Sequence, residues 1–516
     1  MLFKKSTFLL LLFSCAIGSG EVHAQTKERP NIIVFIVDDM GWEDTSVPFW
    51  KEKTPLNNFY QTPNMERLAS QGMKFTQAYA SSVCSPSRVS LMSGMNAARH
   101  RVTNWTLNRN ASVDAKDDEL DFPLWNVNGM QPVDTIERSI FVNSLPQLLK
   151  ENGYLTVHVG KAHFGAVGTP GADPINLGFD VNIAGHAAGG PGSFLGTENF
   201  GNNKDGTPKS PWGVPGLEEY YGQDIFLTEA LTQKALKVLN DSLSNQKPFF
   251  LYMSHYAVHV PFNSDKRFYQ KYIDKGATHV EAQYASMVEG MDKSLGDMMD
   301  FLESKHLTEN TIILFISDNG GYAIQDRGRT GKKHRWNEPL KSGKGSAYEG
   351  GIRVPMLVKW PAVVKENSVT EYPVIIEDIF PTVLNMAGVK KTKTVQHIDG
   401  ENFVSVLKAN KQVNRKSAMY WHYPNSWGET GPGIGATSTV RDGDWKLIYW
   451  HKTQKKELFN IKNDIGEEQD LAMNNPKIVK RLSDKLGAYL RNVDAQMPIF
   501  KNTKAIVPYP DAVSDR

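Results

Sequence analysis

The chain has 516 residues, 40% of them hydrophobic, with 58 Lys and Arg against 56 Asp and Glu. That length can bury a large core and supports one large domain plus a smaller one. A formal net charge of +2 excludes a general nucleic-acid binder, whose affinity comes from a clustered excess of Lys and Arg.

Residues 1–24 read as a cleaved secretory signal: Lys4-Lys5, an apolar run from Phe8 to Ile17, and the small-x-small ending Val22-His23-Ala24. The run is shorter than the ~20 residues of a membrane-spanning helix. No later run is long enough, so the expectation is a soluble exported chain, periplasmic or secreted, with no transmembrane segment. A second reading takes Leu12-Phe13-Ser14-Cys15 as a lipoprotein processing site with Cys15 lipidated.

Residues 25–410 then read as the main domain and 411–516 as a C-terminal subdomain, divided within the polar stretch Lys408 to Lys416. Four apolar, β-branched runs alternate with helical patterns: Ile32 to Val37, Thr156 to Val159, Phe249 to Met253 and Thr311 to Ile316. They predict an α/β fold with a large mixed, mostly parallel sheet sandwiched by helices. Tyr284, Met287, Val288, Met291, Leu295, Met298 and Met299 fall at helical spacing and mark a core-facing helix. Asp378 to Ala387 predicts another helix, capped by Asp378. The C-terminal subdomain is expected to be α+β with an antiparallel sheet. Its strands Ser438 to Arg441 and Trp445 to Tyr449 are joined by the Asp442-Gly443 turn, and a helix near Pro476 to Val493 closes it.

A processed chain retains one cysteine, Cys84, because Cys15 lies in the signal. A free cysteine is most often a small buried hydrophobe. The setting Cys84-Ser85-Pro86-Ser87-Arg88 points elsewhere, since Pro86 suits the first turn of a helix and puts Cys84 near the positive end of its dipole, where an anion is favoured. The four runs are followed by reactive groups: Asp38-Asp39, Lys161 and His163, His255 and His259, and Asp318-Asn319. Sites in open α/β sheets lie outside the carboxyl ends of the strands. Asp38, Asp39, Asp318 and Asn319 form a hard-oxygen set suited to calcium or magnesium, although either pair alone is as well explained by helix capping. Arg88, Lys161 and Lys344 supply opposing charge that can hold a tetrahedral oxyanion.

These motifs resemble those of the formylglycine-dependent sulfatases of the alkaline phosphatase-like superfamily. The resemblance runs from Asn31 to about Leu471 and centres on Cys84-Ser85-Pro86-Ser87-Arg88 with Ser93-Gly94, where the family has Thr-Gly. Gly160-Lys161-Ala162-His163, Val258-His259-Val260-Pro261, Ser317-Asp318-Asn319-Gly320, Gly343-Lys344-Gly345 and Glu349 to Pro355 follow in the family's order. The resemblance implies that a formylglycine-generating maturation enzyme oxidises Cys84 to formylglycine. It implies one calcium ion held by Asp38, Asp39, Asp318, Asn319 and the Cys84 side chain. Hydrated formylglycine would attack sulfur to give a covalent sulfo-enzyme intermediate. Lys161 and Lys344 would hold the sulfate, Arg88 and His163 would brace the nucleophile, and His259 or Lys344 would protonate the departing sugar oxygen. His163 is also a candidate base for expelling sulfate.

The expected substrate is a sulfated carbohydrate, an algal polysaccharide such as ulvan or carrageenan or a glycosaminoglycan. Eleven Trp offer rings that can stack on sugars, with ordinary packing the commoner use of each. Arg99, His100, Arg101, Asn104, Trp105, Trp421, His422, Asn425 and Trp427 are expected to shape the leaving-group pocket. His255 reads equally well as a structural histidine. The basic stretch Arg327, Arg329, Lys332, Lys333, His334 and Arg335 reads either as steering for a polyanion or as a solvated loop. Two rival functions are a phosphatase or phosphodiesterase on the same fold, and a non-catalytic binder of sulfated glycans with Cys84 unmodified.

Overall fold

The computed structural model describes residues 29–323, 334–390, 393–409 and 413–513. The signal segment with Cys15, residues 410–412 at the expected domain boundary, and Arg327, Arg329, Lys332 and Lys333 lie outside the described residues.

A nine-stranded sheet forms the centre. Its strands are β1 (Asn31–Val37), β2 (Met73–Tyr79), β3 (Leu155–Gly160), β4 (Val181–Ile183), β5 (Phe249–Ser254), β6 (Thr311–Ser317), β7 (Arg353–Lys359), β8 (Ser368–Thr370) and β9 (Val374–Ile375). The spatial order is β8-β2-β7-β6-β1-β5-β3-β4, with β9 also pairing β2. β1 lies between β6 and β5 in parallel register, Ile33 facing Ile313 and Leu251. Among the described residues β7 alone runs against the others, antiparallel to both β2 and β6.

All seven residues of β1 are buried, as a central strand covered on both faces requires. Its side chains alternate between two cores. Ile32, Val34 and Ile36 enter one, Ile33, Phe35 and Val37 the other. The helices α1 (Cys84–Ser93) and α4 (Ile379–Met386) pack on the first core, and α2 (Leu227–Ser242) and α3 (His279–Ser304) on the second. The Met-rich stripe of α3 is buried as its spacing predicts.

A separate antiparallel sheet of four strands, β10 (Met419–Tyr423), β11 (Thr437–Asp442), β12 (Trp445–Trp450) and β13 (Lys456–Asn460), follows. Val440, Leu447 and Leu458 from this sheet pack with Val479, Leu482, Leu486 and Leu490 of α5 (Pro476–Asn492). One expectation needs correction. Asp378 stands before α4, yet its carboxylate does not cap that helix; it accepts the amides of Ile375 and Glu401 and pairs with Arg415. Five further strands, β2, β4, β7, β8 and β9, complete the sheet beyond the four predicted runs.

Candidate active site

The carboxyl ends of β1, β3, β5 and β6 and the segment after β2 meet at one edge of the sheet. β2 leads through Ser81 to Val83 into α1, whose first residue is the buried Cys84. β1 delivers Asp38 and Asp39, the latter at φ +60°. β6 delivers Asp318 and Asn319, and the following Gly320 passes so close to the segment before β7 that a Cβ there would stand 1.9 Å from the Gly350 carbonyl oxygen. β3 ends at Gly160, at φ +96° and pressed on the Ser254 carbonyl, and delivers Lys161 and His163.

The charges interlock. Lys161 Nζ lies 2.7 Å from Asp38 Oδ2, and Lys344 Nζ 2.7 Å from Asp39 Oδ1. Arg88 donates from Nε to Asp318 Oδ2 at 2.9 Å, and from Nη1 to Ser254 Oγ at 2.5 Å and to the Lys161 carbonyl at 3.1 Å. Asn319 Nδ2 donates to Asp39 Oδ1 at 2.8 Å. His259 Nδ1 lies 2.7 Å from its neighbour's carbonyl, Val260 O, and Nε2 lies 3.8 Å from Asp39 Oδ2. His163 Nε2 lies 2.7 Å from the Thr106 carbonyl. A carbonyl only accepts, so both histidines carry their proton on the nitrogen that faces it. Nδ1 of His163 and Nε2 of His259 are then the basic nitrogens.

Burial and charge set the protonation states. Burial pushes Asp38 well up, with Lys161 opposing. Asp39 is also desolvated, but Lys344 beside it draws it below the usual carboxylate range. Burial raises the Cys84 thiol despite Lys161 and Lys344. Burial would lower Lys344, but Asp39 and neighbouring anions hold it above the ordinary lysine value. Burial lowers His163 well below, and His259 to about 3.

A divalent cation fits this cluster. Among the described residues, one group has ligand atoms drawn together within 4.8 Å, those of Asp38, Cys84 and Asp318. Asp38 Oδ1 and Asn319 Oδ1 are buried there with no hydrogen-bond partner. Buried oxygens left open beside three carboxylates are a hard-ion donor set.

Several of the other expected pocket residues are engaged by protein partners of their own. His255 is buried against Phe35, its Nε2 on Ser294 Oγ at 2.9 Å, which settles it as a structural histidine. Arg99 is engaged by Asp399 and Arg101 by Asp494. His100 bonds Ser90, His422 bonds Ser438 and Gln496, and Trp421 bonds the Ala80 carbonyl. Burial holds His100 down to about 3 and His422 to about 4. Trp105 and Trp427 stay half-buried, and Lys344 Nζ lies 5.8 Å from the Trp427 ring centre. Asp114, not singled out in the sequence, gathers this rim. It accepts Asn104 Nδ2 at 2.9 Å, Asn425 Nδ2 at 3.1 Å and Trp125 Nε1 at 2.8 Å. No local pattern marks it, because its partners are brought together only by folding.

Residues 30–389 match the family profile described as Sulfatase, and residues 340–496 that described as N-sulphoglucosamine sulphohydrolase, C-terminal. A protein named Sulfatase from Formosa agariphila is 30% identical, over 99% of this chain and 98% of its own length. N-acetylgalactosamine-6-sulfatase of Canis lupus familiaris is 29% identical, over 90% of this chain and 85% of that protein. The crystal structure of Ps i-CgsB in complex with k-i-k-neocarrahexaose is similar at a TM-score of 0.68 and 27% identity, over 90% of this chain and 93% of that one. Among the described residues no helix is long and apolar enough to cross a membrane. With the family profile covering most of its length, the chain belongs to the sulfatase family, in the alkaline phosphatase-like superfamily, and is a sulfuric ester hydrolase.

Proposed function

We propose that this sulfatase removes sulfate from a sulfated carbohydrate outside the cytoplasm, and that a maturation enzyme converts Cys84 to formylglycine. The observation that carries the reading is the meeting of Cys84 with Asp38 and Asp318 within 4.8 Å, ringed by Lys161, Lys344 and Arg88. Two relatives support the substrate class: one is named for N-acetylgalactosamine-6-sulfate, and one structure holds a neocarrahexaose. The polymer is accordingly a glycosaminoglycan or an algal polysaccharide. The N-terminal Lys4-Lys5 and apolar run support export.

Asp38, Asp39, Asp318 and Asn319 would hold a calcium ion, with the matured Cys84 side chain facing it. Hydrated formylglycine supplies the attacking hydroxyl, and the cation supplies stabilisation of developing negative charge. Lys161 and Lys344 bind the sulfate oxygens. Arg88, fully buried on Asp318 and the Lys161 carbonyl, positions both. His163 Nδ1, buried and without a partner among the described residues, is the base that accepts a hydroxyl proton when sulfate is expelled. Lys344 is the expected proton donor to the departing sugar oxygen. It is held protonated by Asp39, whereas the neutral His259 presents a lone pair at Nε2.

Sulfate release, followed by ion chromatography over carrageenans, ulvan, chondroitin sulfate and heparan sulfate, tests the reading. The expected outcome is release from one class by the matured chain and none by Cys84→Ala. Release from no carbohydrate while 4-nitrophenyl sulfate is hydrolysed would reject the substrate class.

A further inference from the structure

Two tryptophans from distant parts of the chain meet beside the site. The rings of Trp105 and Trp212 lie 6.4 Å apart with their planes 44° from parallel, and both side chains are only half-buried. Trp105 sits next to backbone that touches a site histidine, and Trp212 is bonded to the glycine loop that passes both site histidines. Trp105 precedes Thr106, whose carbonyl lies 2.7 Å from His163 Nε2 and whose amide donates to Ser85 Oγ, next to Cys84. The Trp212 carbonyl accepts Gly192 N at 2.6 Å. Just before it in the same loop run Gly189 and Gly190. A Cβ on them would stand 2.3 Å from His163 Cε1 and 2.9 Å from His259 Nδ1 respectively.

Trp105 is also fixed from behind. Its amide donates to Asn104 Oδ1 at 2.9 Å, an oxygen that also accepts the Tyr423 hydroxyl at 3.1 Å. Asn104 donates in turn to Asp114. The platform is therefore held by a buried network reaching into β10.

We propose that Trp105 and Trp212 form a stacking platform for a pyranose ring of the substrate, the ring next to the one that bears the sulfate. The inference rests on the carbohydrate reading above. The ion cluster recognises the sulfate, but it offers nothing to the C–H face of a neighbouring sugar. Two partly exposed indoles at the rim do, and covering them removes apolar area from water. Pockets of this kind combine aromatic walls with a few charged groups that fix orientation.

The test compares the full, matured chain with Trp105→Ala and Trp212→Ala. The substrates are the carrageenan hexasaccharide or chondroitin sulfate tetrasaccharide that wild type desulfates fastest, and 4-nitrophenyl sulfate. The ratio of kcat/KM for oligosaccharide to that for the aryl ester is expected to fall about tenfold, through KM. Trp212→Phe, which keeps a flat ring, is expected to restore the ratio to within about threefold. An unchanged ratio with both alanine variants, including an equal loss on both substrates, would overturn the platform while leaving the carbohydrate reading intact. Wild type inactive on every oligosaccharide but active on the aryl ester would overturn both.

Discussion

Two buried ion clusters in this molecule look alike by composition and differ in one respect, the openness of their oxygens. In the first, Asp38, Asp39 and Asp318 face Lys161, Lys344 and Arg88, yet Asp38 Oδ1 and Asn319 Oδ1 have no partner among the described residues. In the second, Glu349 and Glu467 face Lys446 and Arg353 between the two sheets. There three of the four carboxylate oxygens accept hydrogen bonds from Lys446, Tyr79, Arg353 or the Glu349 amide, and the fourth, Glu467 Oε1, has no hydrogen-bond partner but lies 2.8 Å from the Lys446 ammonium. A closed cluster acts as a pin. An open one beside a cysteine at a helix start is built to take a ligand, and holding like charges together without it carries a stability cost.

The largest effect should come from the open cluster's centre. Cys84→Ala is expected to lower sulfate release by about a thousandfold or more, with a melting temperature close to wild type; retained release would break the assignment. Next, Asp38→Asn is expected to abolish activity; it removes a carboxylate whose charge burial disfavours but leaves the buried Lys161 without its ion-pair partner, so the metal-free protein is expected to lose stability. In calorimetry, calcium at a hundredfold over its dissociation constant should stabilise wild type by about 2.7 kcal/mol and the variant by less.

Lys344→Ala should slow release from a sugar sulfate by roughly a hundredfold or more, and release from 4-nitrophenyl sulfate by less, since nitrophenolate leaves without a proton. Equal losses would assign Lys344 to sulfate binding alone.

The closed cluster should answer in the opposite sense. Lys446→Met leaves two buried glutamates without their shared cation and is expected to cost about 3–5 kcal/mol of stability, while kcat/KM of the folded protein changes little. The smallest effect is on pH. Burial raises Glu467 to about 7, with Lys446 opposing. Its folded value lies above its unfolded one, so it weakens the fold as pH rises from about 4.5 through about 7. Glu467→Gln should flatten the fall in melting temperature over that range.

The floor of the site was legible in the sequence because apolar runs can be recognised locally and parallel strands bring their carboxyl ends together. Asp38, Asp318, Lys161 and His163 each stand within four residues of such a run. β2 and β7 were harder. Met73–Tyr79 interleaves Lys74 and Gln77 with apolar residues, and β7 contains Pro355, which argues against a strand interior. The register with β2 shifts between Val354 and Met356, so Pro355 falls at an irregularity where a missing N–H is tolerated. The rim was least legible. Arg99 and His100 lie in a single helical turn, Ala97–His100, His422 in β10 and Asn425 in the segment after it, and the directions of Arg99, His422 and Asn425 follow from the long-range partners Asp399, Gln496 and Asp114. Trp212, 107 residues beyond Trp105 in the sequence, had no local mark at all.

The account turns on what Cys84 becomes, and mass spectrometry of the peptide carrying it, taken from preparations with graded sulfatase activity, tests that most directly. The prediction is an aldehyde in place of the thiol, reactive toward a hydrazide, in a fraction that rises in proportion to sulfate release. Full activity in a preparation whose Cys84 is entirely thiol would contradict the account.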